Sequence, residues 1–267
     1  MANVSQFGVR RFGRVNWLGL WTLIRRENMR YLAIWQQTVF APLITAGLFL
    51  LVFSIAIGPG RSDVMGFDYV SFLAPGLLMM TVIQNSFANT SSSMLSAKVM
   101  GSIVDTLMPP LSPLEMTVGF IAGGIGRGLV IGAVLCVSMG LSLGIWVAHP
   151  LWTLAFVILG GMFMGALGLL GSIYAFKFDQ MAAISNFVIT PLAFLSGTFY
   201  SIQALPKLMQ PLIHVNPMFY IIDGGRYSVL GVSDGSPWMA LAVICGANIC
   251  AVGLAWFWLA RGYRLKS

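Results

Sequence analysis

Charged side chains are scarce in this sequence. Asp, Glu, Lys and Arg together make up 9% of 267 residues, while 58% of the chain is hydrophobic. A soluble domain carries about 25% charged residues, and a chain this poor in charge cannot cover a water-facing surface. An integral membrane protein is the class that remains. Cysteine is rare too: Cys136, Cys245 and Cys250 all lie in apolar runs. Their odd number and setting argue against a disulfide framework or a metal site, and each reads as a small packing residue. Of two histidines, His149 and His214, neither has a spaced set of ligating neighbours, so a catalytic metal is not expected. No G-x-x-x-x-G-K-[ST] string occurs, and none of the four lysines follows a glycine. The chain therefore has no P-loop of its own with which to hydrolyse a nucleotide.

The net charge of +7 does not point to nucleic acid, because the cations do not sit on a soluble domain. They are a topology signal. Residues 1–32 carry Arg10, Arg11, Arg14, Arg25, Arg26 and Arg30 against one acid, Glu27. Within them Trp17, Leu18, Leu20, Trp21, Leu23 and Ile24 form a helical apolar stripe. Trp17, Trp21, Arg25 and Arg26 mark an amphipathic helix lying in the membrane interface. Six apolar segments follow, at 33–57, 69–89, 117–147, 151–176, 181–200 and 238–259, and a bilayer core needs about 20 residues of helix. Both ends of the chain are basic, which requires an even number of crossings. With both termini in the cytoplasm, eleven of the fifteen Lys and Arg face inward, and Arg61, Lys207 and Arg226 face outward. The chain reads as one all-α membrane domain, with 1–32 interfacial, 33–260 the six-helix region and 261–267 a cytoplasmic tail.

Two polar features interrupt the apolar segments. Arg127 lies in GGIGRGLVIG, and a charge at membrane depth is costly enough to need a partner, water or a function. Its glycines permit close helix approach. Arg127 either lines a substrate path or acts as structural glue. Asn85 and Asn89 give the second segment a polar end, open to the same two readings. The loop 98–116, KVMGSIVDTLMPPLSPLEM, has an apolar face interrupted by Asp105 and stops at Pro109, Pro110 and Pro113. A short helix there either docks in a groove of a soluble partner or lies on lipid.

The stretch 190–231 is apolar and aromatic yet broken by Pro191, Pro206, Pro211 and Pro217 and by Gly197, Gly224, Gly225 and Gly231. Internal prolines break or kink helices. The stretch reads as a helix that enters the membrane, breaks, and dips part-way back as a re-entrant hairpin before the last segment. Asp223 and Arg226, one turn apart, either pair to hold the hairpin or face the cargo.

These residues carry a resemblance. PLAFLSGTFY from Pro191, L-P at Leu205 and Pro206, N-P at Asn216 and Pro217, and Tyr-x-x-Asp-x-x-Arg at Tyr220, Asp223 and Arg226 resemble the signature of ABC-2 type transport permeases. GFDYVSFLAPGLLMM from Gly66 and the G-R-G around Arg127 agree with it, and the YadH-like and NodJ-like permeases are the sub-group indicated. The resemblance covers about 30–260. It implies the membrane half of an ABC exporter in a bacterial inner membrane. Such a subunit pairs with a second copy, here a homodimer, and works with two copies of a separate ATPase that holds the ATP and Mg. It implies that Lys98, Ser102, Ile103, Asp105 and Leu107 belong to a coupling helix. It also makes Gly197, Pro206, Pro217, Tyr220, Asp223 and Arg226 parts of an outer gate. The alternatives are a secondary transporter or channel needing no ATPase, and a membrane-embedded enzyme acting on lipid. No internal repeat favours the first, and the lack of clustered acids or histidines argues against the second.

Overall fold

The long apolar runs become helices, and no strand forms among the described residues. In the computed structural model these are residues 15–56 and 63–265. Arg10, Arg11, Arg14, Arg61 and Lys266, used in the charge count, lie outside them. The α-helices are α1 (Trp17–Leu32), α2 (Ala41–Ala56), α3 (Tyr69–Val99), α4 (Ile103–Leu107), α5 (Pro113–Leu143), α6 (Pro150–Tyr174), α7 (Phe178–Ile184), α8 (Thr190–Phe194), α9 (Gln210–His214), α10 (Pro217–Leu230) and α11 (Pro237–Ala260).

Among the described residues five helical stretches are long and apolar enough to cross a membrane: Gln36–Ala56, α3, α5, α6 and α11. The expectation was six, and the difference lies in 181–200. That segment is helical from Phe178 but only to Phe194, about 26 Å at 1.5 Å per residue, against a bilayer core of about 30 Å. The chain leaves the helix after Phe194, and Gly197 takes φ 73°, a conformation glycine adopts without strain.

Two helical stretches open into a wider turn, at Gln36–Phe40 and Ser185–Ile189. Each stands just before a proline, Pro42 and Pro191. A proline ring collides with the carbonyl four residues earlier and offers no N–H. Those carbonyls belong to Thr38 and Phe187, inside the widened turns, so the helix continues instead of ending.

Helices α3, α5 and α6 form the centre, where Phe72, Met79, Ile83, Phe120, Phe156 and Met164 are fully buried. Small residues set their spacing. A methyl group on Gly168 of α6 would stand 2.6 Å from the Phe87 carbonyl oxygen of α3. Gly124 of α5 faces Thr90 and Ser86 of α3, while Gly123, one position round, faces Glu27 of α1. The glycine run therefore packs α5 on two sides at once, as membrane helices do when close contact holds them together. By contrast α2 buries Ala46 alone and exposes Ile44, Leu48, Leu51, Val52 and Ile55. Its outer face is apolar apart from Thr45, whose hydroxyl donates to Ala41 O within the helix, as lipid or a partner helix requires.

Candidate functional site

Three groups of predicted residues come together at three levels of the bundle. The first is at the α4 end. Asn16 caps α1, its side chain accepting from Gly19 N at 3.0 Å. Its own N–H donates to Glu115 Oε1 at 2.5 Å. The other Glu115 oxygen accepts from Ser112 N at 2.6 Å and closes a capping box at the start of α5. One carboxylate thus ties two helix starts together. Asn16 also donates to Pro110 O, and Arg26 donates to Thr106 Oγ1 at 3.1 Å while pairing with Glu27 at 3.0 Å. Helix α1 is in this way bound to α4 and to the proline turn behind it. A groove of about 350 Å³ runs between them, lined by Thr22, Arg26, Asp105 and Pro109 among others.

The predicted face of α4 divides. Ile103 is buried and Leu107 packs half-buried against the core. Ser102, Val104, Asp105 and Met108 are exposed. Lys98 is committed elsewhere: its ammonium donates to the carbonyls of Ser172, Ile173 and Ala175 at 3.0, 2.7 and 2.7 Å. It caps the C-terminal end of α6, where backbone acceptors lack helical partners. Trp17, Trp21 and Arg25 point outward from α1, while Leu23, Glu27 and Tyr31 face the bundle.

The second group lies midway along α3 and α5. Arg127 Nη2 donates to Asn85 Oδ1 at 2.7 Å. Arg30, at the end of α1, donates to Asn89 Oδ1 at 2.9 Å, to Asn89 O at 2.6 Å and to Ser92 Oγ at 3.2 Å. Asn85, Asn89 and Arg127, far apart in sequence, are thus joined into one polar cluster by an arginine of the interfacial helix. A cavity of about 520 Å³ opens beside it, lined by Arg30, Gln37, Thr38, Gln84, Asn85 and Arg127 among others.

The third group is at the opposite end. Arg226 is 0% exposed. It lies 3.5 Å from Asp223 and 3.5 Å from Asp234, donates to Gly197 O at 2.5 Å, and stacks 4.1 Å above the Phe72 ring. Asp223 accepts from Asp234 N at 2.8 Å and Gly235 N at 3.1 Å. Asp234 accepts from the Ser201 hydroxyl and from Ile202 N. Burial raises the Asp223 carboxyl above its ordinary range, against the Asp234 N–H and the Arg226 charge, which pull it down. Nearby, Asn216 caps α10 and donates to Leu192 O and Ser196 Oγ, both at 2.9 Å. Tyr220 donates to His214 O at 3.1 Å. Pro217 opens α10, while Pro206 stands in the turn between the Ile202–Ala204 helical turn and α9. The 231–235 loop has G-x-S-x-G spacing, but it joins two helices and its Ser233 hydroxyl donates to Gly235 O. It is not a strand-to-helix nucleophile turn.

The profile of the ABC-2 type transporter family matches residues 19–230. The chain belongs to that family. It is 34% identical over 263 residues to the inner membrane transport permease YadH of Escherichia coli K12, covering 94% of this chain and 98% of that one. Nodulation protein J of Sinorhizobium fredii is 24% identical, with 86% and 87% covered, and that of Rhizobium meliloti 25% identical, with 91% and 90% covered. The matched residues include Asp223 and Arg226, while Asp234 and Gly235 lie just beyond them.

Reading this ABC-2 chain as sequence missed Glu115, Asp234, Glu27 and the partner role of Arg30. Glu115 had a signal: Ser112-Pro-Leu-Glu115 has capping-box spacing before an apolar run. Glu27 had a weaker one, as the single acid among the first 62 residues. Asp234 had none, since its approach to Arg226 depends on how the 231–236 turn folds back.

Proposed function

We propose that this chain is the membrane subunit of an ABC exporter of a bacterial inner membrane, driven by a separate ATPase. The observation that carries the proposal is α4. It is held to α1 through Arg26 and Thr106 and to the bundle through Ile103, and it turns Val104, Asp105 and Met108 outward. A rigidly backed helix with an exposed mixed face suits a protein partner better than lipid. ATP binding on two ATPase copies would press on that face and move α3 and α5, which flank α4. The change needs two packings of the permease that the ATPase binds unequally. In this reading the two packings are those of a homodimer, with the exposed face of α2 as a surface for the second copy or for lipid.

The termini are cytoplasmic in this proposal, and α7 with α8 is a short sixth crossing. A helix below bilayer thickness is tolerated by local thinning or by snorkelling flanks, and Lys177 stands at its start. Residues 196–236 form the re-entrant outer gate. Supporting this, Ile221 of α10 faces Gly160 and Ile83 midway along α6 and α3. Ser228 accepts from His149 N at the start of α6, so the 14 residues of α10 occupy one half of the bundle. Asp223 and Arg226 hold the gate together and do not contact cargo.

The test is Val104→Asp with Asp105→Arg, reconstituted with the partner ATPase in proteoliposomes. Leu107 is left intact because it packs against the core. Transport-linked ATP hydrolysis should fall to the basal rate with membrane insertion normal. Unchanged coupling would sink the proposal.

A further inference from the structure

Arg127 has no counter-ion. No carboxylate of the described residues lies within ion-pair distance of it. Among the described residues its hydrogen bond goes to the neutral Asn85, and its Nε is buried without a partner there. Arg30 pairs with Glu27 at 3.5 Å and donates to Asn89 and Ser92, while its own Nε is buried without a hydrogen-bond partner.

The chain cannot supply the missing charge from elsewhere in the membrane. Of the eight acids, only Glu115 lies on a stretch long enough to span, and it sits in the first turn of α5. Arg127 is 14 residues further along, about 21 Å at helical rise. Glu27 packs against Gly123, one turn of α5 from Arg127, but it is already shared by Arg26 and Arg30, and a second copy of this chain has the same distribution. An uncompensated guanidinium at such a level is expensive. The cavity beside it offers the Gln37 and Gln84 amides as further donors, while the Thr38, Thr81 and Ser92 hydroxyls that also line it already donate to backbone carbonyls.

We propose that this cavity binds an oxyanion of the phosphate class, with Arg127 as its principal ligand and Arg30 adding charge. A guanidinium with free N–H edges matches phosphate geometry. The anion is either the headgroup of an amphiphile reaching in from the bilayer or a free phosphate. The inference rests on the permease reading for the membrane depth of the cavity, and it deepens that reading by giving the transported or regulatory ligand a charge.

Binding is measured on the purified full-length chain in neutral detergent by thermal shift and native mass spectrometry. The probes are phosphatidylglycerol, phosphatidylcholine and inorganic phosphate. Wild type should retain phosphatidylglycerol at least tenfold more tightly than phosphatidylcholine, roughly the strength of one charge-assisted hydrogen bond. A shift with inorganic phosphate as well identifies the site as one for free anion; a shift with the lipid alone identifies the headgroup. Asn85→Asp is the decisive variant. It sets a carboxylate beside Arg127, so the unliganded fold should be as stable as wild type or more so while anion binding falls at least tenfold. Arg127→Gln should lose binding too, whatever its effect on folding. Asn85→Asp binding as tightly as wild type, or no preference between the two lipids with no phosphate shift, overturns the proposal. No step uses the ATPase or transport, so a negative result here leaves the coupling proposal standing, and the reverse holds.

Discussion

Arg226→Met is the most informative change in the outer cluster. The arginine is wholly buried and faces two carboxylates, each with a side chain no more than 4% exposed. Removing one partner from a buried ion cluster costs about 3–5 kcal/mol, because the remaining charges have neither water nor a counter-ion. The lost bond to Gly197 O and the lost stacking on Phe72 act in the same direction. For a chain of this size each kcal/mol moves the midpoint by about 2–4 °C, so a fall of about 6–20 °C is expected. The assay is thermal unfolding in detergent by tryptophan fluorescence at one fixed scan rate, since membrane-protein unfolding is commonly irreversible and rate-dependent. Adding Asp223→Asn to Arg226→Met should recover about 1–3 kcal/mol of that loss, the coupling expected for contacting residues. Exchanging the pair as Asp223→Arg with Arg226→Asp should not rescue stability. The Asp234 and Gly235 N–H groups point at position 223 and would meet a cation there. A midpoint for Arg226→Met within about 2 °C of the parent, or strict additivity in the double variant, would refute the reasoning.

Two further outcomes start from the same thermal assay, the second adding an ATPase measurement. Gly168→Ala should cost about 1–3 kcal/mol through overpacking against the α3 backbone, whereas Gly47→Ala, which meets nothing within 4 Å, should be neutral or slightly stabilising. Lys98→Met should destabilise by about 1.5–3 kcal/mol, the scale of hydrogen bonds from a charged donor, yet leave ATPase stimulation intact in proteoliposomes. Loss of coupling without loss of stability would instead make Lys98 part of the partner surface.

Much of the architecture was legible as sequence because membrane helices announce themselves by length and apolarity. Helices Gln36–Ala56, α3, α5, α6 and α11 fall where the apolar runs predict. The ends were less legible. Helix α3 continues ten residues past Asn89 through a serine-rich stretch that lacks the apolar signal, because its polar side chains bond within the helix or to Arg30. The 181–200 segment stops at Phe194, close to the Gly197 that marks a break in the sequence, but that the Gly197 carbonyl is held by Arg226, 29 residues away, is recorded by no local pattern.

The functional residues show the same division. Composition and residue order by themselves determined the membrane class, the absence of a P-loop string and the motif stretch at 190–231, since each depends on residue type or on neighbours along the chain. Tertiary structure alone decided that Ile103 anchors while Val104 faces out, that Lys98 caps α6, that Arg30 joins Asn89, and that Asp234 completes the Asp223–Arg226 pair. The opening scarcity of charge gains its meaning there too. With only eight acids to share, the fold gives Arg226 two of them and Arg127 none. Which cation is neutralised depends on distances across the bundle, and those are set only when the helices pack.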